Sequence, residues 1–132
     1  MTTNWMLPLR KLIAIDAVIC LLSATGLILF AEEIASLTVL PQQLLFWAGV
    51  SLVPSAVFMG ATARPDQTPR WAAWTIVIGN GLWVAASLAL AFSGLVEPNI
   101  YGWAFVMSQA VVVAVLAELE FSALKAKPIL AA

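Results

Sequence analysis

The first long apolar stretch of the chain, residues 9–33, reads LRKLIAIDAVICLLSATGLILFAEE. Two basic residues follow its first leucine, about twenty mostly apolar residues come next, and two acids close it. A helix needs about 20 apolar residues to cross a hydrocarbon core roughly 30 Å thick. The stretch therefore predicts a transmembrane helix with one basic end and one acidic end.

Three further stretches have the same length and character. The sequence predicts four transmembrane helices, at about residues 9–31, 44–63, 71–92 and 101–121. The connections between them are short, and the first, at 32–43, is predicted to be a loop. Connections this short make consecutive helices run antiparallel beside each other. The predicted fold is an all-α membrane protein, a single domain over residues 1–132 built as an up-down-up-down antiparallel four-helix bundle.

Composition agrees with a membrane location. Hydrophobic residues make up 63% of the chain and charged residues 10%, and the mean hydropathy is +1.01. A soluble domain keeps roughly a quarter of its residues charged. No basic cluster exceeds two residues, so nothing predicts nucleic-acid binding. The expected partner is the lipid bilayer, with a homo-oligomer or a larger membrane complex as further alternatives.

The charges predict the orientation. All six basic residues fall on one side of the predicted topology, whereas the two connections on the other side carry only acids. The basic residues are Arg10, Lys11, Arg64, Arg70, Lys125 and Lys127, and the acids opposite them are Glu32, Glu33 and Glu97. Short basic segments are retained in the cytoplasm. We expect a multi-pass protein of the bacterial inner membrane with both termini cytoplasmic.

Two absences narrow the chemistry. The chain has no histidine, the usual zinc and haem ligand and the usual general base near neutral pH. Its single cysteine, Cys20, allows neither an internal disulfide nor a paired-cysteine redox motif. We expect no catalytic residue, no metal site and no cofactor.

Acidic residues inside the predicted helices call for a functional hypothesis. A charged side chain near the bilayer centre costs about 2.5–3.5 kcal/mol on insertion scales. Asp16 in the first helix and Glu118 in the fourth lie at comparable depths from the basic face, so we expect them to come near each other. Two carboxylates in a site of low dielectric would share one proton, as a proton-coupled carrier requires. The alternative is that both are interface acids, which is the interpretation we give Glu120, placed closer to the surface.

Two amides lie deeper, each near the middle of its predicted helix. Asn80 and Gln109 must find hydrogen-bond partners, because hydrocarbon offers none. Their helices are neighbours in sequence, so we expect a direct Asn80–Gln109 contact. It would either join the helices or line a small ligand site. Trp83, past the predicted midplane, either packs against a neighbouring helix or forms a wall of such a site.

Small residues recur at four-residue spacing in three of the predicted helices. The longest ridge is Gly81, Ala85 and Ala89 in the third helix. Such ridges let helix backbones approach closely, which is how helices associate in lipid. They predict tight packing within the bundle or against another subunit.

Several of these residues together resemble a known group of proteins. Asp16, the segment LTVLP at 37–41, NGLWV at 80–84, Gln109 and AELE at 117–120 are similar to a family of small bacterial four-helix integral membrane proteins. That family has no defined activity. The resemblance implies the fold and the bacterial membrane, and it carries over no functional residue.

Three functions remain open from the sequence. The first is a non-catalytic accessory subunit or a binder of a hydrophobic, lipid-like partner. The second is a small proton-coupled transporter that uses Asp16 or Glu118 inside the membrane. The third is a membrane enzyme that depends on a bound cofactor or on carboxylate chemistry. The candidate ligand or ion pathway consists of Asp16, Asn80, Gln109, Glu118 and Trp83.

Overall fold

The structure is a computed structural model that describes residues 8–126, which form five α-helices and no strand. The helices are α1 (Leu9–Leu29), α2 (Ala31–Thr38), α3 (Gln42–Ala63), α4 (Arg70–Phe92) and α5 (Ile100–Ala126). All but α2 are long enough to span a bilayer, and in their most apolar windows the mean hydropathy is 1.8 to 2.4. Only 17% to 33% of each window is buried inside the protein. Helices that are apolar all round and so little covered belong in lipid, which confirms the predicted all-α four-helix membrane fold.

The predicted loop at 32–43 is wrong in its first half, because α2 occupies it. The first helix ends at Leu29 and not at 31, since Phe30 leaves helical geometry with φ −119°. Glu32 and Glu33 lie in the first turn of α2, where the positive end of the helix favours acids. The helix stops at Val39, whose φ of 61° is left-handed.

The last helix is longer than predicted. It ends at Ala126 and not at 121, since the sequence has neither glycine nor proline between 103 and 127. Glu120 therefore lies six residues inside the helix end instead of at its edge. This extension places Glu120 within the span.

The four spans pack as two hairpins. Helix α1 packs along α3, and α4 packs along α5, whereas α3 and α4 touch only sparsely. No Cα atom of α1 lies within 8 Å of a Cα atom of α4. The first hairpin is closely packed because Gly49 has no side chain: a Cβ there would lie 2.8 Å from Cβ of Leu27 and 3.1 Å from the carbonyl oxygen of Ala24.

Each end of the bundle has its own polar link. At the basic end, which carries the basic residues of α1, α4, α5 and the 64–69 connection, Nε of Arg10 donates to the carbonyl oxygen of Ala63 at 2.7 Å. At the acidic end, which carries Glu32, Glu33 and Glu97, Nδ2 of Asn99 donates to the carbonyl oxygen of Leu37 at 2.8 Å. Arg10 thus caps the last turn of α3, and Asn99 joins the start of α5 to α2.

The small-residue ridge of α4 lies on the outside of the bundle. Gly81, Ala85 and Ala89 are all exposed, and a Cβ at Gly81 would meet nothing within 4 Å. The predicted packing of this ridge within the bundle is therefore wrong, and the alternative of packing against another subunit stays a prediction.

Candidate functional site

Three polar side chains from three helices meet inside the basic half of the bundle. Nδ2 of Asn80 in α4 donates to Oδ2 of Asp16 in α1 at 2.8 Å and to Oε1 of Glu120 in α5 at 3.0 Å. Asp16 is 4% exposed, Asn80 7% and Glu120 0%. We call these three residues the acid–amide cluster.

Apolar residues of the core surround the acid–amide cluster. Ile13 lies one turn before Asp16, Ile76 lies one turn before Asn80, and Leu124 lies one turn after Glu120. All three belong to the same group of buried apolar side chains at the basic end. Residues one turn apart share a helix face, so the packing that buries these apolar residues also turns the polar ones inward.

The amide is the polar bridge between helices whose backbones do not meet. Because the NH₂ group of asparagine has two N–H donors, each can point to one carboxyl. The two N–H bonds of an amide diverge by about 120°, so acceptors placed along them lie about 5 Å apart. The cluster thus connects α4 to α1 across the bundle and to α5 beside it.

One oxygen of the cluster remains without a donor. Oε2 of Glu120 is buried and has no hydrogen-bond partner among residues 8–126. The Asp16 and Glu120 carboxyls accept from the same amide nitrogen and therefore lie beside each other. Two ionised carboxylates about 5 Å apart would repel by about 3 kcal/mol at an effective dielectric constant of ~20. The arrangement therefore favours one added positive charge.

The expected proximity of Asp16 and Glu118 is wrong. Glu118 is exposed and lines a surface cleft of about 390 Å³ with Phe121, Ser122, Lys125 and Ala126. Glu120, which we expected at the interface, occupies the interior position instead. The buried residues Ala110, Leu116, Glu120 and Leu124 follow one face of α5, but apolar residues occur on every side of this helix, so the sequence gives no signal for which face is buried.

The expected Asn80–Gln109 contact is also wrong. Oε1 of Gln109 accepts a hydrogen bond from Nε1 of Trp83 at 2.7 Å, and its Nε2 donates to the carbonyl oxygen of Val106 at 2.8 Å. Trp83 and Gln109 are both half-buried. This pair joins α4 to α5 one turn beyond Asn80, towards the acidic end.

Cys20 is another ionisable side chain of α1 and lies one turn after Asp16. It is buried, and its thiol donates to the carbonyl oxygen of Leu52 in α3 at 3.3 Å. No group of three or more acidic, cysteine or histidine side chains within residues 8–126 is arranged to hold a metal ion. The chemistry of the interior is thus that of two carboxyls and one amide.

No family model, curated protein or solved structure matches this chain. The resemblance to small bacterial four-helix membrane proteins therefore rests on the quoted residues and stays a prediction.

Proposed function

We propose that this chain is a small membrane carrier that binds and releases a proton at the acid–amide cluster. The observation that supports it is a pair of buried carboxyls, from Asp16 and Glu120, that share one amide donor and leave Oε2 of Glu120 without a partner among residues 8–126. One proton on the pair removes the repulsion and provides the missing donor. Buried ionisable groups of this kind mark ion and proton pathways in membrane proteins.

The packing suggests how such a proton would be coupled to movement. Of the hydrogen bonds among residues 8–126, the one from Asn80 to Asp16 joins α4 of the second hairpin to α1 of the first, two helices whose backbones do not touch. Loss of the proton weakens this connection, because two like charges then face each other across a single amide. The groups that face the Glu120 carboxyl are Asp16 of α1 and Asn80 of α4, with Cys20 one turn from Asp16.

Orientation and location are part of the proposal. The basic end lies in the cytoplasm and the acidic end outside, in a bacterial inner membrane, as the positive-inside bias of short loops predicts. The cluster then lies in the cytoplasmic half of the bundle, so the path of a proton to it is shorter from the cytoplasm than from the outside.

Infrared difference spectroscopy of the protein in lipid tests the proton site directly. We expect a titrating band of a protonated carboxyl in the wild type and in Glu118→Gln, which changes an exposed acid of the same helix. The band should be absent from Glu120→Gln and shifted in Asp16→Asn. An unchanged band in Glu120→Gln contradicts the assignment.

A flux measurement tests the carrier. Proteoliposomes loaded with a pH-sensitive dye, with small organic solutes supplied on one side so that a coupled exchange can also turn over, should dissipate an imposed pH gradient faster with the wild type than with Asp16→Asn or Glu120→Gln. Glu118→Gln should behave as the wild type. Equal rates for all four proteins, each shown to be folded by circular dichroism, would rule out the carrier.

A second function, the accessory subunit, is favoured by the exposed ridge of Gly81, Ala85 and Ala89. A small-residue ridge on the lipid-facing side lets another helix approach closely. Native mass spectrometry in mild detergent should then find a stoichiometric partner, either a second copy or another chain. The partner should be lost in Ala85→Leu, and a monomer in the wild type would speak against this function.

A further inference from the structure

We propose that the solute exchanged for the proton is a primary amine, bound as its ammonium ion by the acid–amide cluster. This inference rests on the proposed proton site and names the substrate class of that same site. It starts from Oε2 of the fully buried Glu120, which has no hydrogen-bond partner among residues 8–126 and belongs to a carboxyl that shares the Asn80 amide with Asp16. An acceptor in this position calls for a donor that brings positive charge.

The number of acceptors matches the three N–H donors of a primary ammonium. Two acceptors are the carboxyls of Asp16 and Glu120. The third is Oδ1 of Asn80, which comes to face the carboxyls when the amide rotates by half a turn. The two ends of an amide are nearly equal in shape, so this rotation needs no new space. With a proton bound the amide nitrogen faces the carboxyls, and with an ammonium bound its oxygen does.

The charge balance fits an exchange. The two carboxyls together accept either a proton or an ammonium ion, so the cluster carries the same net charge in both loaded states. Within residues 8–126, the side chains that interact with the Glu120 carboxyl are acidic or neutral. A solute with a negative charge would meet repulsion there.

The surroundings favour an amine with an apolar body. Trp83 lies three residues after Asn80 in α4, which places their Cβ atoms about 5–6 Å apart on neighbouring parts of one face. Its ring is half-buried and held by Gln109. Indole binds cations over its face and apolar groups along it. We therefore expect the amine head at the carboxyls and its aromatic or alkyl part against Trp83.

Two matched probes test this inference by calorimetry on the protein in detergent. Benzylammonium and benzyltrimethylammonium carry the same charge and the same ring, but only the first has N–H donors. We expect benzylammonium to bind the wild type and Glu118→Gln alike. Binding should weaken about ten- to hundred-fold in Glu120→Gln, as for the loss of a hydrogen bond to a charged group.

A second variant tests the third acceptor, and circular dichroism establishes that both variants are folded. Asn80→Leu keeps both carboxyls and removes the third acceptor, so it should also weaken benzylammonium binding. Equal affinity for the two probes, or undiminished binding in both variants, would refute the proposal that the solute is a primary amine. Titration of the infrared band without amine reports on the proton site alone. The proton site can therefore be confirmed even if the proposed amine substrate is refuted.

Discussion

The replacement of Asn80 by leucine probes the cluster most directly, because it removes the amide and keeps a similar volume. It deletes two hydrogen bonds, of 2.8 Å and 3.0 Å, and leaves two buried carboxyls without that donor. Interhelical hydrogen bonds in membranes average about 0.6 kcal/mol and reach about 1.7 kcal/mol. Since both acceptors are acids and nearly inaccessible, we take the upper part of this range for each bond and expect a loss of about 2–3 kcal/mol for the two together.

Gln109→Leu is the matched control, an amide in another span. It breaks the single interhelical bond with Trp83, between neutral and half-buried groups, so its cost should be about 0.6–1 kcal/mol. Reversible unfolding in mixed micelles of increasing dodecyl sulfate content, followed by circular dichroism, measures both.

A double-mutant cycle completes this test. In a background of Asp16→Leu and Glu120→Leu, the amide has lost both acceptors, and Asn80→Leu should cost less than about half of its value in the wild type. If Asn80→Leu costs no more stability than Gln109→Leu, or costs the same in the double-leucine background, Asn80 does not stabilise the bundle through Asp16 and Glu120.

Three further predictions concern the backbone. Gly49→Ala should destabilise the protein by about 1–3 kcal/mol in the same assay, because its Cβ would lie 2.8 Å from Cβ of Leu27. Gly81→Ala should leave stability unchanged or raise it by up to about 1 kcal/mol, since nothing lies within 4 Å; equal losses in the two would contradict the close approach of α1 and α3. Val39→Gly should raise the unfolding free energy by about 1 kcal/mol, because valine at φ 61° is strained and its side chain is 55% exposed. A loss of stability there would show that Val39 contributes more by packing than it costs in strain.

Much of the architecture could be predicted from the chain alone. The sequence predicts the starts of all four spans within two residues, because the thickness of the hydrocarbon core sets the length and the hydropathy of a spanning helix. The end of α1 was misplaced by two residues and that of α5 by five. Helix α2 was missed, since eight residues between two spans carry little pattern of their own.

The partners inside the bundle could not be predicted in the same way. Asp16 and Asn80 stand out in the sequence as polar residues in apolar spans. The sequence nevertheless predicts the wrong partners for them, Glu118 for Asp16 and Gln109 for Asn80. Which of Glu118 and Glu120 faces inward depends on the rotation of α5 about its axis. That rotation is decided by packing against α4 and α1.

The sequence by itself determined four membrane spans, their antiparallel order and the separation of basic from acidic ends. Only the tertiary structure decided that Asp16, Asn80 and Glu120 meet. In a soluble helix the apolar stripe would show the buried face, but lipid accepts apolar residues on every side. The spans of this protein therefore lack the pattern that distinguishes inside from outside, and close packing at residues such as Gly49 supplies that information instead.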